Sequence, residues 1–83
     1  MYRGTLIERY GETLGREIAN HLRNFTYEDS GYEYVDNMRV AWEEDPDEVQ
    51  AYYRAQRSGC CGFYDKTVVF QGLSFLIGFN YGH

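Results

Sequence analysis

The sequence has few basic residues, no long apolar run and only two cysteines. Its 83 residues contain eight Lys or Arg against thirteen Asp or Glu, a formal net charge of −5. Because phosphate backbones are bound by clustered basic side chains, this small and dispersed set argues against direct nucleic-acid binding. The longest apolar stretch, residues 73–79, contains Ser74 and Gly78 and is too short to span a bilayer, so we expect no membrane insertion.

The two cysteines are adjacent, at positions 60 and 61, and no apolar region typical of a secretory signal follows Met1. Adjacent cysteines cannot close an ordinary disulfide loop, so we expect no disulfide framework. Both features predict a protein of the reducing cytoplasm.

Apolar and aromatic residues, by contrast, are abundant. Hydrophobic residues make up 43% of the chain and aromatic residues 18%, with nine tyrosines and five phenylalanines. This composition is too apolar for a disordered tail and predicts a single folded domain over residues 1–83. Tyrosine combines a large apolar ring with a polar tip, so it suits both a small core and a binding surface.

A helical pattern opens the chain. Apolar residues recur at spacings of three and four over residues 6–25, which predicts a first helix with Thr5 and Glu8 as a capping box. Gly11 and Gly15 lie four positions apart in this helix, and each lowers its helix propensity. Their spacing indicates a close crossing with another element, and a break that splits the helix in two is the competing interpretation.

Two further helices are predicted before the chain changes character. Residues 26–31 read as a loop, and the second helix runs from about Tyr32 to Glu44. Its buried face would hold Tyr34 or Val35, Met38, Ala41 and Trp42. The third helix begins at Pro46 with Asp45 as its N-cap and ends near Arg57.

The last third of the chain is typical of strands. Residues 66–70 and 73–79 are β-branched, aliphatic and aromatic, and Gln71 with Gly72 between them predicts a two-residue turn. Residues 63–64 are a candidate for a short additional strand. The predicted fold is therefore α+β, with about three helices followed by a C-terminal β-hairpin or small antiparallel meander.

No motif indicates catalysis. Cys61 with His21 or His83 can be drawn as a nucleophile and base, and Asp65 as the group that orients the base, but their spacing does not bring them together. We therefore expect a protein that is not an enzyme and has no cofactor. A zinc site at Cys60, Cys61 and His83 is an alternative, although zinc ligands usually lie two to four residues apart, and a tight turn between Gly59 and Gly62 is the preferred interpretation.

The carboxylates are concentrated in one part of the sequence. Residues 28–48 hold nine of the thirteen carboxylates and one basic residue, Arg39, a local net charge of −8. Such a field repels nucleic acid and attracts a basic surface, although the same residues also serve solubility and the dipole of the third helix. As a partner-binding surface, the predicted charges are Glu33, Asp36, Glu43, Glu44, Asp47 and Glu48, and the predicted aromatic anchors are Tyr32, Tyr34, Tyr52 and Tyr53.

Two resemblances bear on function. The C-terminal pattern, GCCGFYD at residues 59–65, then Gly72 and IGFNYGH at residues 77–83, is similar to the tails of small uncharacterised phage-encoded proteins. In size, acidity and lack of a catalytic motif, the chain resembles the anti-CRISPR and anti-restriction inhibitors of phages. The resemblance implies a stoichiometric inhibitor in the host cytoplasm that blocks nucleic-acid access to a bacterial protein complex.

A different class of function is also open. The chain is suited to a small structural or regulatory module that forms a homodimer. The candidate surfaces are the helix face that carries Gly11 and Gly15 and the edge of the predicted hairpin.

Overall fold

The described residues form three helices and a three-stranded antiparallel sheet, which confirms the α+β class. The structure is a computed structural model that describes residues 2–33, 35, 38–59 and 61–81. It divides into two compact units, Met1–Val35 and Asp36–His83. The elements in chain order are α1 (Tyr2–Tyr10), α2 (Glu12–Ser30), β1 (Arg39–Trp42), α3 (Pro46–Ser58), β2 (Gly62–Phe70) and β3 (Leu73–Tyr81).

The first unit is a pair of helices joined at Gly11. The predicted single helix is wrong here, and the competing interpretation, a break that splits it in two, is correct. Gly11 has φ 89° and ψ 167°, a backbone conformation that few residues other than glycine adopt. The second of the two helices ends at Ser30, so residues 26–30 of the predicted loop are helical. Gly31 adopts the left-handed conformation and its N–H donates to the Tyr27 carbonyl oxygen at 3.1 Å, which closes the helix.

Gly15 is the contact point of α1 and α2. A Cβ atom at this position would lie 2.7 Å from the Ile7 Cα and 2.8 Å from the Leu6 carbonyl oxygen. The predicted close crossing is therefore present at Gly15, which α1 covers, but not at Gly11, where a Cβ atom would meet nothing within 4 Å. Thr5 lies inside α1, which begins at Tyr2, so the predicted capping box does not start the helix.

The second unit contains the sheet, with strand order β1-β3-β2. The predicted hairpin is confirmed: β2 and β3 pair without interruption, from Gly62 opposite Tyr81 to Phe70 opposite Leu73. The connecting residues Gln71 and Gly72 have φ values of 51° and 79°. Positive φ at both central positions defines the type I′ turn, whose twist matches that of paired strands.

The remaining strand of the sheet, β1, lies in a segment that was predicted to be helical. The second helix, predicted over residues 32–44, is wrong for residues 39–42, which form β1 and pair with β3 from Arg39 opposite Gly78 to Trp42 opposite Phe75. Residues 63–64 belong to β2 and do not form a strand of their own. The predicted third helix is confirmed as α3, with Pro46 in its first turn and Asp45 as N-cap.

The sheet of the second unit is apolar on both faces. On one face Ala41, Leu76 and Tyr52 of α3 form a buried cluster, with Val49 packed against it. On the other face lie the buried side chains of Trp42, Val68, Phe75, Ile77 and Phe79. Since β3 is the central strand, it is buried on both sides, while β2 forms one edge of the sheet. Within the described part of the chain, no helix has the length and apolar character needed to cross a membrane.

Candidate functional site

The acidic segment, residues 43–48, connects β1 to α3 and contains five carboxylates. Its backbone is fixed at both ends. The Glu43 N–H donates to the Ser74 carbonyl oxygen at 3.1 Å, and the Asp45 N–H donates to the Trp42 carbonyl oxygen at 3.1 Å. The Val49 N–H donates to the Asp45 carbonyl oxygen at 3.0 Å, which begins α3. The segment therefore presents its charges from a defined backbone.

Three carboxylates of the acidic segment bind neighbouring groups. The Glu48 N–H donates to Asp45 Oδ1 at 3.3 Å, the N-cap bond of α3, and the Trp42 N–H donates to Glu48 Oε2 at 3.3 Å. Glu43 lies over the end of the sheet, where Ser74 Oγ donates to its Oε2 at 2.6 Å. Thr67 Oγ1, on the neighbouring strand, lies 3.4 Å from its Oε1. These three acids have a structural role as well as a charge.

The other two acids of the segment, Glu44 and Asp47, are exposed. Both were predicted as partner-binding residues, and a partner can reach them without breaking the bonds made by Glu43, Asp45 and Glu48. Asp47 also lies in the first turn of α3, where a negative charge is favourable beside the helix N-terminus.

The predicted tyrosine anchors have different positions in the structure. Tyr53 of α3 is 39% exposed, and its ring packs edge-on against that of Tyr52 with centroids 5.2 Å apart. Tyr52 itself is only 3% exposed, so its ring belongs to the core of the second unit and is not a surface anchor. Burial follows from its position, because it lies on the same side of α3 as Val49 and packs on the sheet.

The remaining predicted residues do not lie in the acidic segment. Tyr32, 43% exposed, and Glu33, also exposed, belong to the first unit. Tyr34 and Asp36 are outside the described residues. The structure therefore brings Glu43, Glu44, Asp47 and Glu48 together in one segment and places Tyr53 on the helix that follows it.

A buried polar network lies beneath α3, and sequence reasoning did not predict it. Gln56, on the sheet-facing side of the helix, donates from Nε2 to the Tyr64 carbonyl oxygen at 3.0 Å and to the Tyr52 hydroxyl at 3.3 Å. Its Oε1 accepts from Arg39 Nη2 at 2.5 Å, and the same guanidinium binds Asn80 Oδ1. Asn80 Nδ2 in turn donates to the Gln56 carbonyl oxygen at 3.0 Å. The network ties the helix to all three strands.

Tyr52 links this network to Asp65 of β2. Its hydroxyl lies 2.5 Å from Asp65 Oδ1 and 2.9 Å from the Ile77 carbonyl oxygen. Burial raises the pKa of the Tyr52 phenol well above its ordinary value of 10.0, and the hydrogen bond to the Asp65 carboxylate raises it further. The phenol therefore keeps its proton and acts as a hydrogen-bond donor, a structural role.

One sequence signal does point to this network. Val49, Tyr52 and Gln56 are spaced by three and four, which places the amide of Gln56 on the buried side of α3. A buried amide requires partners. The identity of those partners depends on the complete sheet, and the prediction of a second helix omitted its strand β1, which carries Arg39.

Of the three predicted zinc ligands, Cys61 lies among the described residues. Cys61 is exposed and has φ 73°. Cys60 and His83 lie outside the described residues. Among the described residues, no three His, Cys, Asp or Glu side chains come together in a group that could hold a metal ion.

Comparison with known proteins identified no similar protein. No family model matches the chain, and neither a curated protein nor a solved structure matches it.

Proposed function

We propose that this chain is a non-catalytic binding protein that occupies a basic, nucleic-acid-handling surface of a bacterial protein complex and blocks nucleic-acid access to it. The observation that carries the proposal is the acidic segment: five carboxylates in six residues, on a backbone held by the sheet and by the first turn of α3. A surface that binds phosphates is positively charged, so it is complementary to such a segment.

The proposed mechanism is steric and electrostatic competition. The exposed acids Glu44 and Asp47 would meet Lys and Arg of the partner, while Glu43, also exposed, and Glu48 contribute charge from fixed positions. Attraction between opposite charges speeds association, and aromatic side chains supply much of the affinity of protein interfaces. Tyr53 is the exposed aromatic residue on the helix that carries Asp47.

The resemblance in kind to phage anti-defence inhibitors supports a host nuclease or a related defence complex as the partner class. A stoichiometric inhibitor needs a folded scaffold and a charged surface and no catalytic group. The acidic segment supplies the charged surface, on a backbone that the sheet and α3 hold in place. Such an inhibitor would act in the host cytoplasm.

The test compares two double variants with the same change in charge. E44K/D47K reverses two of the three exposed acids of the acidic segment and leaves the bonds of Glu43 and Glu48 in place. E8K/E17K reverses two exposed acids of the helices in the first unit and serves as the control. Each variant and the wild type would be used for affinity capture from nuclease-treated bacterial lysate across a salt series, followed by competition of the captured complex with duplex DNA.

We expect the wild type and E8K/E17K to capture the same nucleic-acid-handling partner, with binding that weakens as salt rises and that DNA displaces. E44K/D47K should lose the partner while its thermal unfolding stays close to that of the wild type. If both variants lost the partner equally, net charge alone, and not the acidic segment, would explain the binding. Retained capture by a folded E44K/D47K would contradict the proposal and leave the segment a role in solubility.

A further inference from the structure

The edge strand β2 has a surface that the proposed function does not use. It is nine residues long, and Phe63, Asp65, Thr67 and Val69 are all exposed. The exposed fraction is 47% for Phe63 and 65% for Val69. An open strand of this length with large apolar side chains is a template for pairing with another chain.

The hairpin geometry determines which backbone groups are available. In the turn at Gln71 and Gly72, a hydrogen bond joins the flanking residues, Phe70 and Leu73. Hydrogen-bonded and non-hydrogen-bonded pairs alternate along an antiparallel ladder, so the even-numbered residues of β2 bond to β3. The N–H and C=O groups of the odd-numbered residues 63–69 therefore point away from the sheet, and their side chains all lie on the face that carries α3.

Two carboxylates lie on the α3 face of the sheet near this edge: Asp65 of β2 itself, and Glu43, which follows β1 and reaches over β3 to Thr67. The exposed Lys66 of β2 lies on the opposite face. Asp65 is exposed at the centre of the edge, and the Glu43 carboxylate lies beside Thr67 and Ser74.

Along the edge, the α3 face is therefore apolar at Phe63 and acidic at Asp65. It is acidic again at Thr67, because the Glu43 carboxylate lies beside that residue, and apolar at Val69. In a strand added beside β2, every second side chain would lie on this face, next to Phe63, Asp65, Thr67 or Val69.

We propose that the β2 edge binds an extended basic segment of a partner protein as a fourth strand. The outward N–H and C=O groups would give the backbone hydrogen bonds, and alternate side chains would be apolar, basic, basic and apolar to match Phe63, Asp65, Glu43 and Val69. Charge complementarity favours this occupant over a second copy of the chain. A second copy carries the same net charge of −5 and, where all nine β2 residues overlap, would set Lys66 opposite Lys66.

This site does not rest on the proposed function: the two share Glu43, but the exposed acids that the proposed function requires, Glu44 and Asp47, are not part of the edge. The probe is the synthetic peptide Val-Thr-Lys-Thr-Lys-Thr-Val, whose pattern reads the same in either strand direction. The control peptide, Lys-Val-Thr-Thr-Thr-Val-Lys, has the same composition and charge with the pattern lost. Binding would be measured by fluorescence anisotropy and by calorimetry.

The patterned peptide should bind about tenfold more tightly than its isomer, the equivalent of one or two lost backbone or side-chain contacts. V69P removes an outward N–H without touching the β2–β3 ladder and should weaken binding about tenfold. E43Q keeps an oxygen for Ser74 and should weaken it about threefold, whereas the control E44Q should change it less than twofold. E44K/D47K should keep the wild-type preference for the patterned peptide over its isomer, because the two peptides carry the same charge.

Several results would overturn the inference. One is equal binding of the two peptides, and another is unchanged binding by a folded V69P. If V69P does not fold, V69K replaces it as the test variant, because it keeps the backbone donor and adds a charge that repels the basic peptide. Unchanged peptide binding by V69K would also overturn the inference. A wild-type protein that sediments as a dimer, and that V69P converts to a monomer, would assign the edge to a second copy.

Discussion

The two ends of α3 are held in opposite ways. At its N-terminal end, exposed or half-buried carboxylates from residues close in sequence bind the backbone, as Asp45 and Glu48 do. At its C-terminal end, buried Gln56 binds Arg39, 17 positions away, and Asn80, 24 positions away. A bond lost at the first end can be replaced by water, whereas a partner lost at the second end leaves the buried amide of Gln56 unsatisfied. The first end therefore tolerates a change of surroundings better than the second.

The largest effect is expected for Gly78→Ala, beneath the C-terminal end. A Cβ atom there would clash with the Tyr52 hydroxyl, the Gln56 amide and the Tyr64 carbonyl oxygen. The carbonyl belongs to the β2 backbone and cannot rotate away, so the free energy of unfolding should fall by about 3 kcal/mol or more. Urea unfolding followed by tryptophan fluorescence would measure it.

Gly4→Ala is the matched control for this substitution. Both changes reduce the freedom of the unfolded chain equally, but a Cβ atom at Gly4 meets nothing within 4 Å, and the residue lies in α1. The control should raise the free energy of unfolding by up to about 1 kcal/mol. A G78A variant as stable as the wild type would contradict the close packing of Tyr52 and Gln56 on β3.

The next effect is expected for Tyr52→Phe, and it depends on pH. Losing the hydroxyl leaves Gln56 and Asp65 with one partner fewer, which should cost about 1–2 kcal/mol at pH 8. The pKa of Tyr52 is raised in the folded state, so the hydroxyl contributes fully below pH 10 and its contribution declines at higher pH, where only the unfolded state ionises. By pH 11 the decline is about 1.4 kcal/mol.

Unfolding of the wild type and Y52F at pH 8, 9, 10 and 11 tests this prediction. The difference between them should be constant up to pH 9 and shrink towards zero by pH 11. Tyr53→Phe is the control, because this neighbouring ring is partly exposed, and we expect a change within about 0.5 kcal/mol at every pH. A wild type–Y52F difference that did not narrow would mean that the Tyr52 pKa is not raised.

The same contrast explains which parts of the fold could be predicted from sequence. Asp45, Pro46 and the Gln71–Gly72 turn act through bonds to residues within four positions, so their signals are complete in the sequence, and α3 and the β2–β3 hairpin were predicted. The exposed acids Glu44 and Asp47 could also be identified from sequence, since charge in a short segment next to a helix start tends to be exposed.

The strand β1 could not be predicted from sequence. Met38, Ala41 and Trp42 are buried, as expected, but the spacing that suggests one face of a helix also fits a strand whose two faces are both covered. The pairing with β3, whose residues lie 33 to 39 positions further along the chain, decides between helix and strand. Arg39 and Gln56 become partners only after that pairing, so the polar network was missed along with the strand.

The smallest effect is expected at the N-terminal end of α3, for Asp45→Ala. This change removes the N-cap acceptor of the Glu48 N–H and should cost about 1 kcal/mol. Asp47→Ala, with the same change in charge in the same turn, loses only its interaction with the helix dipole and should cost about 0.3–0.5 kcal/mol. Thermal unfolding at low and high salt separates the two, because salt screens the dipole interaction and leaves most of the cap bond. Equal, salt-sensitive losses in both variants would show that Asp45 acts only as a charge, and the contrast between the two ends of α3 would then be one of charge against hydrogen bonding.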